Sequence, residues 1–134
     1  MDLLDTDVII EMLRNRRYEE GSISLVTLIE VLRGVEAGKR TQVKKLLEES
    51  FDVQTLDNST IETYCRLYHK LMEEGTSIPD ADLLIAATAM SRDISLRTQD
   101  EHFKRLEAHG LRLAVPAQGS QNQRKERQAA NNRA

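Results

Sequence analysis

Apolar residues follow two spacings along the first 115 positions, and the two alternate. Short aliphatic runs at "DLLD" (2–5), "SISL" (22–25), "FDVQTL" (51–56), "ISLR" (94–97) and "LRLAV" (111–115) predict strands. Between them, apolar residues three and four apart predict helices. "TDVIIEMLRN" opens the first. "TLIEVLRGVEAG" opens a second, which Gly34 and Gly38 are expected to interrupt before "KRTQVKKLLEES" resumes. "STIETYCRLYHKLMEEG" carries Ile61, Tyr64, Cys65, Tyr68, Leu71 and Met72 at helical spacing, with Gly75 as its stop. Pro79 and Asp80 are expected to cap "DLLIAATAMSR", whose small residues suit close packing on a sheet. Alternation of this kind predicts a mainly parallel sheet of about five strands covered by helices. No internal repeat is evident.

The pattern stops at Pro116. "PAQGSQNQRKERQAANNRA" has no aliphatic periodicity and sets Arg124, Lys125, Arg127 and Arg133 against Glu126, a net +3 that leaves −6 on residues 1–115 of a chain whose total is −3. The expectation is one acidic domain over 1–115 and a disordered basic polar tail over 116–134, which cannot bury enough apolar surface to offset the entropy of ordering. A solvated end is the favoured reading of that tail over an RNA-binding arm. A hydrophobic fraction of 40% with 4% aromatics and no Trp predicts a soluble protein with an aliphatic core. No apolar run nears the roughly 20 residues of a membrane span. Met1 is followed at once by Asp2 with no basic and apolar leader, so a cytoplasmic protein is expected. Cys65 is the single cysteine, which excludes an intrachain disulfide and a cysteine-rich zinc site.

Against this background the carboxylates at predicted strand ends stand out. Asp is among the residues least often buried without a partner or a metal. Asp5 ends the first predicted strand in "LLDTDVII", Asp100 follows "ISLRT", and Asp82 lies in the first turn of the helix after Pro79. Ligands of open α/β sheets bind beyond the carboxyl ends of the strands, so these three acids are expected to meet at one edge. Glu30 makes a fourth: it is the lone acid among Thr27, Leu28, Ile29, Val31 and Leu32. Clustered carboxylates repel unless protonated or bridged by cations. With no cysteine set and no paired-histidine motif, an all-oxygen site suits Mg2+ or Mn2+ and metal-assisted phosphodiester hydrolysis.

"LLDTDVII", "SLVTLIEVLRG", "IPDADLLIAATAM" and "SLRTQDEHF" followed by "GLRLAV" together resemble the ordered motifs of PIN-domain nucleases, in particular the VapC-like toxins of toxin–antitoxin pairs. The resemblance spans residues 2–115. It implies a three-layer α/β/α domain that cleaves RNA with Mg2+ or Mn2+, usually as a homodimer and silenced by a cognate antitoxin. By motif position Asp5, Glu30, Asp82 and Asp100 are the catalytic and metal-holding acids, and Thr98 takes the hydroxyl position that orients an acid or a water.

Several residues carry competing readings. Asp7 stands where the family most often has Asn; it is read first as the cap of the first helix and second as an added acid of the metal shell. Asp80 and Asp82, roughly 200° apart around a helix, cannot both face one ion, so Asp82 is taken as ligand and Asp80 as cap. His102 is expected to be solvated rather than a ligand or base. His69, Cys65 and Tyr68 share a helical face and are expected to pack rather than to form a nucleophilic set. Arg14, Arg16 and Arg17 fit phosphate contacts or a solvated charge run equally. Two other functions fit part of the pattern: an aspartate-nucleophile phosphatase, which leaves Glu30 unexplained, and a non-catalytic PIN-like binding module.

Overall fold

The computed structural model describes residues 1–115; the tail expected over 116–134 lies outside the described residues. In chain order the elements are β1 (Leu3–Leu4), α1 (Thr6–Asn15), β2 (Ser22–Ser24), α2 (Leu25–Arg33), α3 (Ala37–Ser50), β3 (Asp52–Gln54), α4 (Asn58–Glu73), α5 (Asp80–Ser91), β4 (Leu96–Arg97) and a 3-10 helix (Glu101–His109). The strands form one parallel sheet in the order β3-β2-β1-β4. The expected fifth strand is reduced to a parallel bridge between Leu113 and Leu96, with Leu96 N donating to Arg112 O and Ala114 N to Leu96 O, both at 2.8 Å. β4 is itself only two residues long, so its outer edge has little ladder to offer.

Strand alternation explains why helices lie on both faces. Leu3 and Leu4 are both fully buried, yet Leu3 belongs to one apolar cluster with Leu67, Leu71, Ile85 and Phe103, while Leu4 belongs to another with Ile9, Ile23, Leu47 and Phe51. Successive strand residues point to opposite faces, so this two-residue strand feeds a core on each side and the domain has three layers. At Gly21, just before β2, an added Cβ would lie 2.7 Å from Leu4 Cδ1; only a residue without a side chain lets the two strands close on Leu4.

Helix boundaries follow the sequence with three differences. Gly34 does cap α2, whereas Gly38 lies inside α3 without breaking it, the cost of one helical glycine being only about 1 kcal/mol. Asp80 is not a cap: Pro79 holds the N-cap position of α5 without a side-chain bond, and Asp80 instead accepts the Tyr64 hydroxyl at 2.6 Å. The third difference concerns α4, whose inward stripe is Thr60, Tyr64, Leu67 and Leu71. Cys65, Tyr68 and His69, expected to pack, are exposed, because Cys65 and Tyr68 lie one residue further round the helix, about 100° from the buried stripe, and His69 lies two residues from Leu67 and from Leu71, on the far side. α5 is buried through Leu83, Ile85, Ala86, Ala87, Thr88 and Ala89, and its alanines allow the close approach that the sequence suggested. No helix of the described residues is long and apolar enough to cross a membrane.

The strand order fixes where a site can form. From β1 the chain moves outward to β2 and β3, then returns to place β4 on the other side of β1. The loops leaving β1 and β4 therefore diverge in opposite directions and open a crevice at their carboxyl ends.

Candidate active site

Asp5 is the first residue beyond β1, in extended conformation, and it is Asp5 rather than Asp7 that caps α1: its Oδ1 accepts Thr6 N at 2.8 Å. Its other oxygen, Oδ2, accepts the Thr98 hydroxyl at 2.7 Å from the loop after β4. Asp5 N also donates to Arg97 O at 2.9 Å, so strand pairing and side chain together lock this carboxylate in place. Asp5 is buried, and burial chiefly, together with the facing Asp7 and Asp82 and against the bonds from Thr98 and Thr6, pushes its pKa from 3.8 up to about 7.

Thr98 bridges two acids. While donating to Asp5 it accepts Asp100 N at 3.0 Å, and Asp100 caps the 3-10 helix through Oδ1, which receives His102 N at 2.9 Å and lies 2.7 Å from His102 Nδ1. The backbone donor first, and then the imidazole, hold the Asp100 carboxyl below its usual range. His102 is thus exposed, as expected, but not idle.

Glu30 comes from α2. Its Oε1 lies 2.8 Å from Thr6 Oγ1, which is also 3.1 Å from the buried Thr27 Oγ1, and Arg33 lies 3.5 Å from Oε2. A carboxylate oxygen can only accept, so the Thr6 hydroxyl donates to Glu30 and aims it. Asp82, in the first turn of α5, makes no hydrogen bond or ion pair among the described residues. Its pKa is raised, first by desolvation and then by Asp100 and Glu30, with Asp7 a further contributor. The four acids named from sequence are therefore electrostatic neighbours at one crevice, and Thr98 is the hydroxyl that orients the first of them.

Asp7 lies in the first turn of α1. Its Oδ2 accepts Gln99 N at 3.1 Å, and Gln99 in turn donates through Nε2 to Glu11. Arg14, Arg16 and Arg17 are exposed at the opposite end of α1, about 15 Å from its start at 1.5 Å per residue, which sets them apart from this crevice. Beside Asp100 a depression of about 480 Å³ is lined by Gln99, Asp100, Glu101, His102 and Arg105.

Sequence reasoning missed Thr6, Thr27 and Gln99. Thr6 stood in plain view between two acids, and Thr27 three residues before Glu30 placed a hydroxyl on the same helical face. The Gln99 contact runs through its backbone N–H and left no trace in residue type.

The donor set is all oxygen, as Mg2+ or Mn2+ prefers. Among the described residues no three His, Cys, Asp or Glu side chains close tightly enough to cage an ion unaided. That openness still fits Mg2+, which keeps several waters, so that one or two of the carboxylates bind it directly and the others act through those waters. The raised Asp5 and Asp82 reflect burial first and facing carboxylates second, and a cation would offset both by favouring the charged form.

A PIN domain family model matches residues 3–108. The chain belongs to the PIN domain family. As a PIN domain it is 36% identical over 115 residues to Ribonuclease VapC1 of Methanocaldococcus jannaschii, covering 83% of this chain and 85% of that protein. Among solved structures, VapBC-5 of Mycobacterium tuberculosis, a member of the VapBC family of toxin–antitoxin systems, is 29% identical with a TM-score of 0.63, covering 84% of this chain and 98% of that one. DNA-bound VapBC from Salmonella typhimurium has a TM-score of 0.73 at 23% identity, over 84% of this chain and 95% of that one, and speaks for the PIN fold alone.

Proposed function

We propose that the chain is a cytoplasmic, Mg2+- or Mn2+-dependent endoribonuclease that hydrolyses RNA phosphodiester bonds, and the toxin of a toxin–antitoxin pair. The observation that carries this is Asp5: a buried carboxylate at the switch point of a PIN fold, bonded at both oxygens and facing a further acid from α5. The similarity to a protein named a ribonuclease and to toxin–antitoxin complexes supports the substrate and the biological role.

Asp5, Glu30, Asp82 and Asp100 would hold the cation. Bound there, it would supply Lewis acidity and lower the pKa of a water below that of bulk solvent. The remaining work belongs to the protein. Thr98 fixes the rotamer of Asp5, Thr6 aims Glu30, and Asp82, with no internal bond, keeps its oxygens available. Arg105, beside Asp100, offers a cation to an RNA phosphate.

Total RNA should be cleaved with Mg2+ or Mn2+ and spared in EDTA, leaving 5′-phosphate ends because water and not the ribose 2′-hydroxyl is the nucleophile. Full cleavage in EDTA, 2′,3′-cyclic ends, or release of inorganic phosphate from small esters in place of RNA cleavage would each overturn the proposal.

The same reading includes a homodimer. Ile61, Tyr68 and Met72, 51%, 43% and 60% exposed, line the outer face of α4 with Cys65, and aromatics and Met are enriched in interfaces. Leu71 and Tyr64 of the same helix are turned inward, Leu71 buried in the chain's own core and Tyr64 packed against it. Light scattering at micromolar concentration should give twice the chain mass, and a monomer contradicts the dimer. Adding the product of the adjacent reading frame should give a heavier complex, since the acidic domain suits a basic partner; failure to bind removes the toxin role and leaves the nuclease.

A further inference from the structure

Asp7 has an oxygen that the site as described does not use. Its Oδ2 is accounted for by Gln99 N, but Oδ1 is sealed from solvent and has no hydrogen-bond partner, and it is the one buried side-chain oxygen or nitrogen in that condition among the described residues. A carboxylate oxygen that has lost water and gained no donor is costly unless a positive partner arrives.

The surroundings say where that partner would sit. Asp5 and Asp7 are two residues apart, and within one helix that separation would turn them away from each other. Asp5, however, is the extended N-cap and lies outside the helix, with φ −70 and ψ 162, so the rule does not apply. Asp7 adds repulsion to both Asp5 and Asp82, so its charge is near theirs. Its bond to Gln99 N reaches the residue between Thr98 and Asp100, the two groups that link the β4 loop to Asp5. No cap role competes, because Asp5 performs it.

We infer that Asp7 supplies a fifth carboxylate to the divalent-cation site through its unpartnered Oδ1, while its Oδ2 pins the loop that carries Thr98 and Asp100. The inference rests on the metal-site reading above and deepens it. It predicts a more strongly negative centre than four acids provide, and so tighter hold on a divalent ion.

Asp7→Asn separates the two jobs. Asn is isosteric and keeps a carbonyl oxygen for Gln99 N–H, but it removes the charge. Binding of Mn2+ alone to the full chain, read by electron paramagnetic resonance of free Mn2+ and by the Mn2+-induced rise in melting temperature, should weaken at least about tenfold in Asp7→Asn, the scale on which even outer partners of metal ligands act. The metal-free melting temperature should stay level or rise. Asp5→Asn and Asp82→Asn are measured alongside. If they lose Mn2+ while Asp7→Asn binds it as tightly as wild type, Asp7 only pins the loop and the inference fails. If all three variants bind Mn2+ like wild type, the metal site itself is wrong and the inference falls with it. Asp7→Ser, short and uncharged, serves as the second variant and should lose Mn2+ to the same degree; wild-type affinity there likewise overturns the role.

Discussion

Asp5→Asn should reduce RNA cleavage by more than about 100-fold while leaving the metal-free protein as stable as wild type or more so. The activity loss follows from the proposed role of Asp5 as a direct ligand, since disturbing groups behind metal ligands already costs about 10- to 100-fold. The stability result follows from what surrounds Asp5. Its carboxylate is disfavoured by burial and by Asp7 and Asp82, and a neutral amide of the same shape escapes both penalties. The two existing bonds adapt: the amide oxygen keeps Thr6 N, and the amide nitrogen faces Thr98 Oγ1, a hydroxyl that can turn to accept. Thermal melting in EDTA and an RNA cleavage assay on the same preparation check both halves. Normal cleavage by Asp5→Asn would remove Asp5 from the chemistry.

The second large effect is on pH, and it should reverse when metal is added. Asp5 has a folded pKa of about 7 against 3.8 for the unfolded chain. Between those values the folded state keeps a proton that the unfolded state has released. Its contribution is fully present below 3.8 and is lost as pH rises through about 7. Asp82 acts in the same direction; Asp100, whose pKa is lowered, acts in the opposite one, favouring the fold above 3.8 and ceasing to do so as pH falls. Asp100 is the more exposed group, so Asp5 sets the trend. The metal-free protein should therefore melt at a lower temperature as pH is raised from about 4 to about 8. A divalent ion held by Asp5 as proposed needs that carboxyl ionised, so its apparent affinity should fall about tenfold per unit below about pH 7. The gain in melting temperature from Mn2+ should accordingly be larger at pH 8 than at pH 5.5. A metal-induced gain independent of pH would mean that Asp5 is not a ligand.

Much of this site was legible because acid type and strand ending are both written in the chain. Asp5, Asp82 and Asp100 could be placed at one sheet edge from order alone, and Glu30 by its contrast with apolar neighbours. What could not be read was anything decided by one residue of helix phase. Periodicity locates a helix but leaves its first residue uncertain by one or two, and that interval separates Asp5 from Asp7 as the cap of α1, and Pro79 from Asp80 at the start of α5. The same limit affected α4, where the buried stripe Thr60, Tyr64, Leu67, Leu71 and the exposed Ile61, Cys65, Tyr68, Met72 are both at spacings of four, three and four. Apolar character alone cannot choose between two such stripes when both hold it. The short fifth strand was over-read because "LRLAV" has strand composition, while its pairing depends on how much of β4 is there to receive it.

The position of β4 between β1 and the Leu113 bridge bears on when during synthesis this protein could first act. Thr98 reaches Asp5 across 93 residues of sequence, and β4 pairs beside the first strand instead of extending the sheet beyond β3. A nascent chain on the ribosome can lay down β1, β2 and β3 in order, yet until residues 96–100 emerge β1 is an open edge, Asp5 lacks its hydroxyl partner and the acid at position 100 is missing. Closing so long a loop is slow compared with forming local helices. Any chain cut short before β4 is thus unable to assemble the crevice, and the activity is delivered only by molecules whose translation has run almost through the domain.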